Sequence, residues 1–244
     1  MGGRTPFVNV FYQECKYMNT LVFEIQRSLE VLKLGLLGEL QMSSDMEDLQ
    51  GALFANKVPA TWTKVAFVSM RPLAGWTDSL MLRLKQLQDW VVDLTMPKAV
   101  WITGFFNPQS FVTAILQTLS RKNEWPLDKV VVATEVTKKS PEEVTDASRD
   151  GSYIYGLTME GARWDTNAMA ISTSLPKEMF CGMPVILAKA IPIDKAEFKE
   201  TFMCPVYKVQ QRGHTFVFKA NLKTKVSEQV WIIAGVALLM DVVI

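Results

Sequence analysis

Arg121-Lys122-Asn123-Glu124-Trp125-Pro126-Leu127-Asp128-Lys129-Val130-Val131-Val132-Ala133-Thr134 is where the sequence changes character. Upstream, apolar residues recur at helical spacing, and Pro126 prevents the last helix from continuing. Downstream, β-branched runs at Val130 to Thr137, Tyr153 to Thr158, Val185 to Ile191 and Phe216 to Leu222 read as strands. The expectation is an α+β protein, helical over residues 7–125 and β over residues 126–244.

Working back from that junction, Asn107-Pro108 marks a helix start, with Asn as cap and Pro at a position whose N–H has no partner anyway. Phe111, Ile115 and Leu119 fall on one face of that helix, which should end near Asn123. A preceding helix from about Thr77 to Leu94 is predicted by Leu80, Leu84, Leu87, Val91 and Leu94, with Trp76 and Trp90 near its ends. Ser44 and Glu47 form a capping-box pattern before Met46, Leu49, Leu53 and Phe54, and Val58-Pro59 closes that helix. Furthest upstream, Met18, Leu21, Val22, Ile25, Leu29, Leu32 and Leu36 predict one long helix over residues 10 to 36, roughly 40 Å at about 1.5 Å per residue. Gly35 and Gly38 should loosen its end.

Working forward, Gln211-Arg212-Gly213 suits a hairpin between Pro205 to Gln210 and Thr215 to Leu222, while Val230 to Leu239 is expected to return as a closing strand. Residues 138–150 and 194–201 are charged and weakly patterned, as surface loops are. No fixed-period repeat or low-complexity tract is evident.

Composition narrows function. Twenty-six basic and 25 acidic residues leave a net charge of +1, which supplies little general attraction for nucleic acid. Three scattered cysteines, Cys15, Cys181 and Cys204, suggest neither a disulfide framework nor a metal motif. His214, the single histidine, follows Arg212-Gly213 in a turn pattern. Val230 to Met240 falls well short of the roughly 20 apolar residues a spanning helix needs, and Met1-Gly2-Gly3-Arg4 lacks a signal-peptide pattern. Neither membrane nor nucleic acid is therefore an expected partner.

Phosphate-binding glycine loops of the GxxxxGK[ST] and GxGxxG types, the GxSxG elbow and HExxH are all missing from the sequence. No catalytic, cofactor-binding or metal-binding residue is assigned. Glu160 and Asp165 could be imagined as paired carboxylates of a hydrolase, but Arg163 between them makes an ion-pair cluster the simpler reading. Phe105, Phe106 and Phe111 surround a helix start and read first as buried fold-holding residues, with an interface patch as the alternative.

Gly104-Phe105-Phe106-Asn107-Pro108-Gln109-Ser110-Phe111 and Met159-Glu160-Gly161-Ala162-Arg163-Trp164-Asp165 resemble signature segments of the C-terminal domain of dynein heavy chains. Val58-Pro59-Ala60-Thr61-Trp62, Arg121 to Asp128, Pro205-Val206-Tyr207-Lys208, Asn221-Leu222-Lys223-Thr224-Lys225 and Gly235-Val236-Ala237-Leu238-Leu239 extend the likeness from about Phe7 onward. Asn107 to Phe111 and Lys122 to Trp125 look more like axonemal than cytoplasmic heavy chains, with an outer arm as the narrower guess.

That resemblance implies a helical half followed by an incomplete six-stranded antiparallel β-barrel, packed on an AAA+ ring near its first and last modules. It implies a non-catalytic regulatory or structural part of a motor, bracing the ring and modulating force and processivity, located in the cytoplasm, the cytoskeleton and the axoneme of a cilium or flagellum. ATP and Mg are expected only in the parent ring, and microtubules are reached only indirectly. Phe105, Phe106, Asn107, Gln109, Arg163, Trp164 and Asp165 are the resulting interface or fold-defining candidates. An alternative on the same fold is a docking platform for axonemal partner proteins.

Overall fold

The computed structural model describes residues 5–92 and 97–242, so the expected helix end at Leu94 and the opening residues 1–4 lie outside the described residues. Helix α1 runs over Pro6–Leu36. Its start precedes the expected Val10 because Thr5 accepts the Val8 N–H and Pro6 occupies the first turn. Val10, Phe11, Glu14, Met18, Leu21 and Leu32 are buried. The predicted apolar stripe fails toward the end, where Leu36 is 60% exposed. The helix ends one residue after Gly35, and Gly38 follows in the left-handed region at φ 77°; a side chain at Gly35 would press on the Met42 and Met46 sulfurs.

That helix, α2, spans Ser44–Phe54 and is capped by Ser43, whose hydroxyl accepts the Met46 N–H. The expected cap at Ser44 is thus one residue late, and the observed register buries Met46 and Leu49 while Phe54 is exposed. A short helix, α3, Ala60–Thr63, follows Pro59 and buries Trp62. Trp62 stacks on Trp76 and donates its indole N–H to Ser28 of α1 at 2.8 Å. Helix α4, Leu73–Val91, begins directly after Pro72, a turn before the expected Thr77. Its buried stripe is Trp76, Leu80, Arg83, Leu87 and Trp90, whereas Val91 is exposed.

Helix α5, Pro108–Asn123, matches expectation and ends on Glu124 in the left-handed region at φ 58°. Strand β1, Ala99–Trp101, precedes it and is not foreshadowed by any local pattern. After α5 come β2 (Val130–Val136), β3 (Gly151–Tyr155), β4 (Thr158–Glu160), β5 (Arg163–Asp165), β6 (Ala170–Ser172), β7 (Phe180–Gly182), β8 (Ile186–Pro192), β9 (Thr201–Val209) and β10 (Phe216–Lys223). The single strand expected from Tyr153 to Thr158 is split into β3 and β4 by Gly156, at φ 95° and against the Trp101 ring.

Residues expected in one closing strand divide into helix α6 (Glu228–Ile233) and strand β11 (Ala237–Asp241). Ser227 accepts the Gln229 N–H and Glu228 lies in the first turn, which favours a helix start despite the β-branched residues that follow. Gly235, at φ 67°, then turns the backbone.

The mixed α+β class is as expected, while the strands divide among several sheets and do not by themselves establish the incomplete six-stranded antiparallel barrel. Strands form a sheet ordered β1-β3-β8-β2, a second ordered β10-β9-β11-β4-β7, and a β5-β6 ribbon. β1 runs parallel to β3, and β11 parallel to β9. No closed barrel is formed among the described residues. Between β2 and β10 a side chain takes the place of a ladder: the Asn221 amide donates to the Thr134 carbonyl and its oxygen accepts the Thr134 N–H. One continuous core joins Phe11, Trp90 and Phe111 of the helices to Ile154, Leu222 and Leu238 of the sheets.

Candidate functional site

Three elements converge on the loop Phe105-Phe106-Asn107. From α1, the carboxylate of Glu14, only 1% exposed, accepts the Phe106 N–H at 2.7 Å and the Asn107 N–H at 2.9 Å. From α4, the buried Arg83 guanidinium donates to the Phe105 carbonyl at 3.3 Å and lies 3.7 Å from the centre of the Phe67 ring. From β9, Lys208 donates to the Phe106 carbonyl at 3.0 Å. Side chains thus pair four of the loop's backbone groups, while the Phe105 N–H donates to the Ile102 carbonyl and the Asn107 carbonyl accepts from Ser110.

Burial raises the Glu14 carboxyl pKa above its ordinary range, while the N–H groups of Asn107 and Phe106, then the charges of Arg83 and Lys208, pull it back. Burial likewise lowers the Arg83 guanidinium to about 10, opposed by Asp241 and Glu14. Lys208 is lowered by burial too. Asp241 at the end of β11 accepts from Ser69 and Arg71, binding the segment before α4 to the second sheet.

Titration of Glu14 has a definite sign. With the folded pKa raised above the ordinary 4.5, the native protein holds more protons than the unfolded one between those two values. Stability from this titration is full below the ordinary pKa and is lost as pH rises through the folded one. Urea unfolding from roughly pH 8 down to pH 5 is expected to show the stability gap between the native protein and Glu14→Gln widening as pH falls. A constant or narrowing gap contradicts the raised pKa.

The sequence-derived candidates take different places. Phe105 is buried against Phe111 and Trp90, as the fold-holding reading expects. Phe106 is only half-buried, between Tyr17 and Phe67. Asn107 precedes α5, yet its side chain makes no cap hydrogen bond, and its backbone N–H goes to Glu14 instead. Gln109 is exposed on a groove between α1 and α5 that also includes Asn9 and Gln13.

Arg163, Trp164 and Asp165 form β5, apart from that loop in sequence. The ion-pair cluster expected around Arg163 is not what forms. Glu160 accepts from Arg212 at 2.6 Å, the same guanidinium nitrogen that donates to the Gly235 carbonyl at 2.8 Å. Asp165 accepts the N–H groups of Ala168 and Asn167, which hold its carboxyl below the usual range and close the β5-β6 turn. Arg163 instead approaches Glu178 at 3.8 Å. Trp164 is buried, and its alternation with Arg163 and Asp165 follows from the strand's period of two. Gly161 sits at φ 80°, where a side chain would also press on the Ala234 carbonyl, so the segment's glycine is required by its turn.

Glu14, Arg83, Lys208, Asp241 and Arg212 escape sequence reasoning. A signal exists for two of them. Glu14 lies four residues from both Val10 and Met18, and Arg83 lies between Leu80 and Leu87, so each charge occupies a position on an apolar stripe.

The family model for the C-terminal domain of dynein heavy chains matches residues 1–240. The ciliary dynein beta chain of Heliocidaris crassispina is 53% identical over 239 residues, covering 98% of this protein and 5% of the relative. The human dynein axonemal heavy chain 17 is also 53% identical over 239 residues, with the same two coverages. The flagellar outer arm dynein beta chain of Chlamydomonas reinhardtii is 52% identical over 238 residues, again 98% and 5%. The 244 residues thus span about one twentieth of the length of these relatives. A match over nearly its whole length, together with such identities, shows that this protein belongs to the family of dynein heavy-chain domains that stand at the C-terminus.

Proposed function

We propose that this protein is a non-catalytic regulatory and structural domain of an axonemal dynein heavy chain, of outer-arm type, working in the axoneme of a cilium or flagellum. It braces the AAA+ ring of the same heavy chain, chiefly near the first and last modules, and thereby modulates force and processivity. ATP and Mg act in that ring, and microtubules are engaged elsewhere in the motor. The names of the relatives support the ciliary and outer-arm setting.

The observation that carries the bracing role is the clamp on residues 105–107, which ties α1, α4 and β9 to one loop. A lever must hold its shape under load, and four charge-assisted hydrogen bonds from three distant elements to one loop stiffen this one. Its effect on the ring equals the difference in contact energy among ring conformations. Exposed Leu36, Leu37 and Leu40 at the end of α1 offer apolar contact area for such a surface. In this reading the two sheets, linked by Asn221 and Thr134, act as an incomplete barrel that extends the contact.

The complete motor bearing Leu36→Glu with Leu37→Glu tests this in an optical trap. Stall force or run length is expected to change by roughly twofold or more, since neither side chain supports the core. Unaltered mechanics in a motor that folds normally overturn the proposal. Truncation before Trp125 is a poorer test, because the core crosses that point. A second reading, a docking platform for axonemal partners, is favoured by α6, where Val230, Ile232 and Ile233 are exposed.

A further inference from the structure

We infer that Ser140 is a phosphorylation site for a proline-directed serine/threonine kinase. A serine or threonine stands directly before a proline at two positions of the sequence, Thr5-Pro6 and Ser140-Pro141. A kinase cleft takes its substrate as extended chain, with the hydroxyl and the residue after it free to enter. Thr5 fails that requirement: its hydroxyl caps α1 by accepting the Val8 N–H at 3.3 Å, and Pro6 is buried in the first turn. Ser140 meets it. The residue is exposed and its backbone is extended at φ -80° and ψ 164°, as a residue before proline prefers, and Pro141 is only half-buried. Among residues 137–150, which join β2 to β3, Val144 alone is buried, so few contacts hold this chain against the body.

In the transfer, the Ser140 oxygen bonds to the γ-phosphorus of ATP while the bond from that phosphorus to the bridging oxygen breaks. ADP leaves with the electron pair, and the hydroxyl proton passes to an aspartate of the kinase. The product carries about −1.5 to −2 charge at neutral pH. That charge arrives inside a capping box, where the Ser140 N–H donates to the Glu143 carboxylate at 2.7 Å and Glu142 lies alongside. Phosphate and carboxylates repel across the turn, while exposed Lys138 and Lys139 on its other side draw the phosphate toward the end of β2. Glu143 is thereby expelled and the turn Pro141–Glu143 loosens, with Val144 left as its anchor. The modification is independent of the bracing role, and none of these residues takes part in the clamp on residues 105–107.

The test incubates the 244-residue protein with ATP, Mg and purified kinases of the mitogen-activated and cyclin-dependent classes, followed by intact mass and peptide sequencing. One phosphoryl group per chain is expected, on Ser140, with none in Ser140→Ala and incorporation about tenfold slower in Pro141→Ala. No transfer to Ser140 by either class, or equally fast transfer to Thr5, overturns the inference. An unchanged rate in Pro141→Ala overturns the proline requirement. Amide hydrogen exchange reads the consequence at Glu143 and Val144, whose N–H groups donate to the Ser140 and Pro141 carbonyls at 3.2 and 3.3 Å. Exchange there is expected to quicken about tenfold on phosphorylation, and unchanged or slower exchange overturns the loosening of the turn.

Discussion

Replacing Glu14 by alanine is expected to destabilise the protein by about 3–5 kcal/mol, the range for removing one member of a buried charged network. The substitution strands the Phe106 and Asn107 N–H groups and leaves Arg83 and Lys208 without the carboxylate between them. Each unpaired buried donor alone costs about 1–3 kcal/mol. For a domain of this size the melting temperature should fall by roughly 6–20 °C. Glu14→Gln keeps one acceptor oxygen and should lose less. A melting shift under about 2 °C for Glu14→Ala means that the loop finds its hydrogen bonds elsewhere.

Phe105→Ala should cost about 3–5 kcal/mol, whereas Phe106→Ala should cost only about 1–2 kcal/mol. The difference comes from burial. Phe105 is 4% exposed, with its ring 5.1 Å from Phe111 and 6.0 Å from Trp90, so truncation opens a cavity that these large rings cannot fill. Phe106 is half-buried beside Tyr17 and Phe67, and solvent can replace part of what is lost. Midpoints of urea unfolding for the two variants measure the contrast. Equal losses contradict the assignment of Phe105 to the core and Phe106 to its edge.

Much of the helical half is legible because burial there follows a simple period. α5 shows its proline start and its end in the sequence, and α4 most of its buried face, since Trp76, Leu80, Leu87 and Trp90 hold helical spacing. Errors arise where local signals are ambiguous. Adjacent serines offer two caps for α2, and only the packing of Met46 and Leu49 selects Ser43. Val230 to Ile233 has strand-forming composition, yet the Ser227 cap and the turn at Gly235 make it helical. β1 is three residues long and gains its identity by lying parallel to β3, a pairing no local window contains.

The candidate residues divide in the same way. Phe105 and Trp164 are recognisable as anchors because large aromatic side chains favour burial. Which carboxylate meets which cation cannot be read locally. Glu160 lies 52 positions from Arg212, and Glu14 lies 92 and 93 positions from the amides it accepts.

Residue order alone specifies the α-to-β change at Pro126, the main helices, the turn glycines and, through the signature segments, the family. These depend on short-range backbone preference and on side-chain periodicity, which neighbouring residues set. The two-sheet arrangement, the Asn221 bridge in place of a barrel ladder, and the charged clamp on residues 105–107 exist only in the folded molecule. Those features depend on distant groups meeting where water is excluded, and it is that exclusion, not the residue types alone, that makes their pairing obligatory.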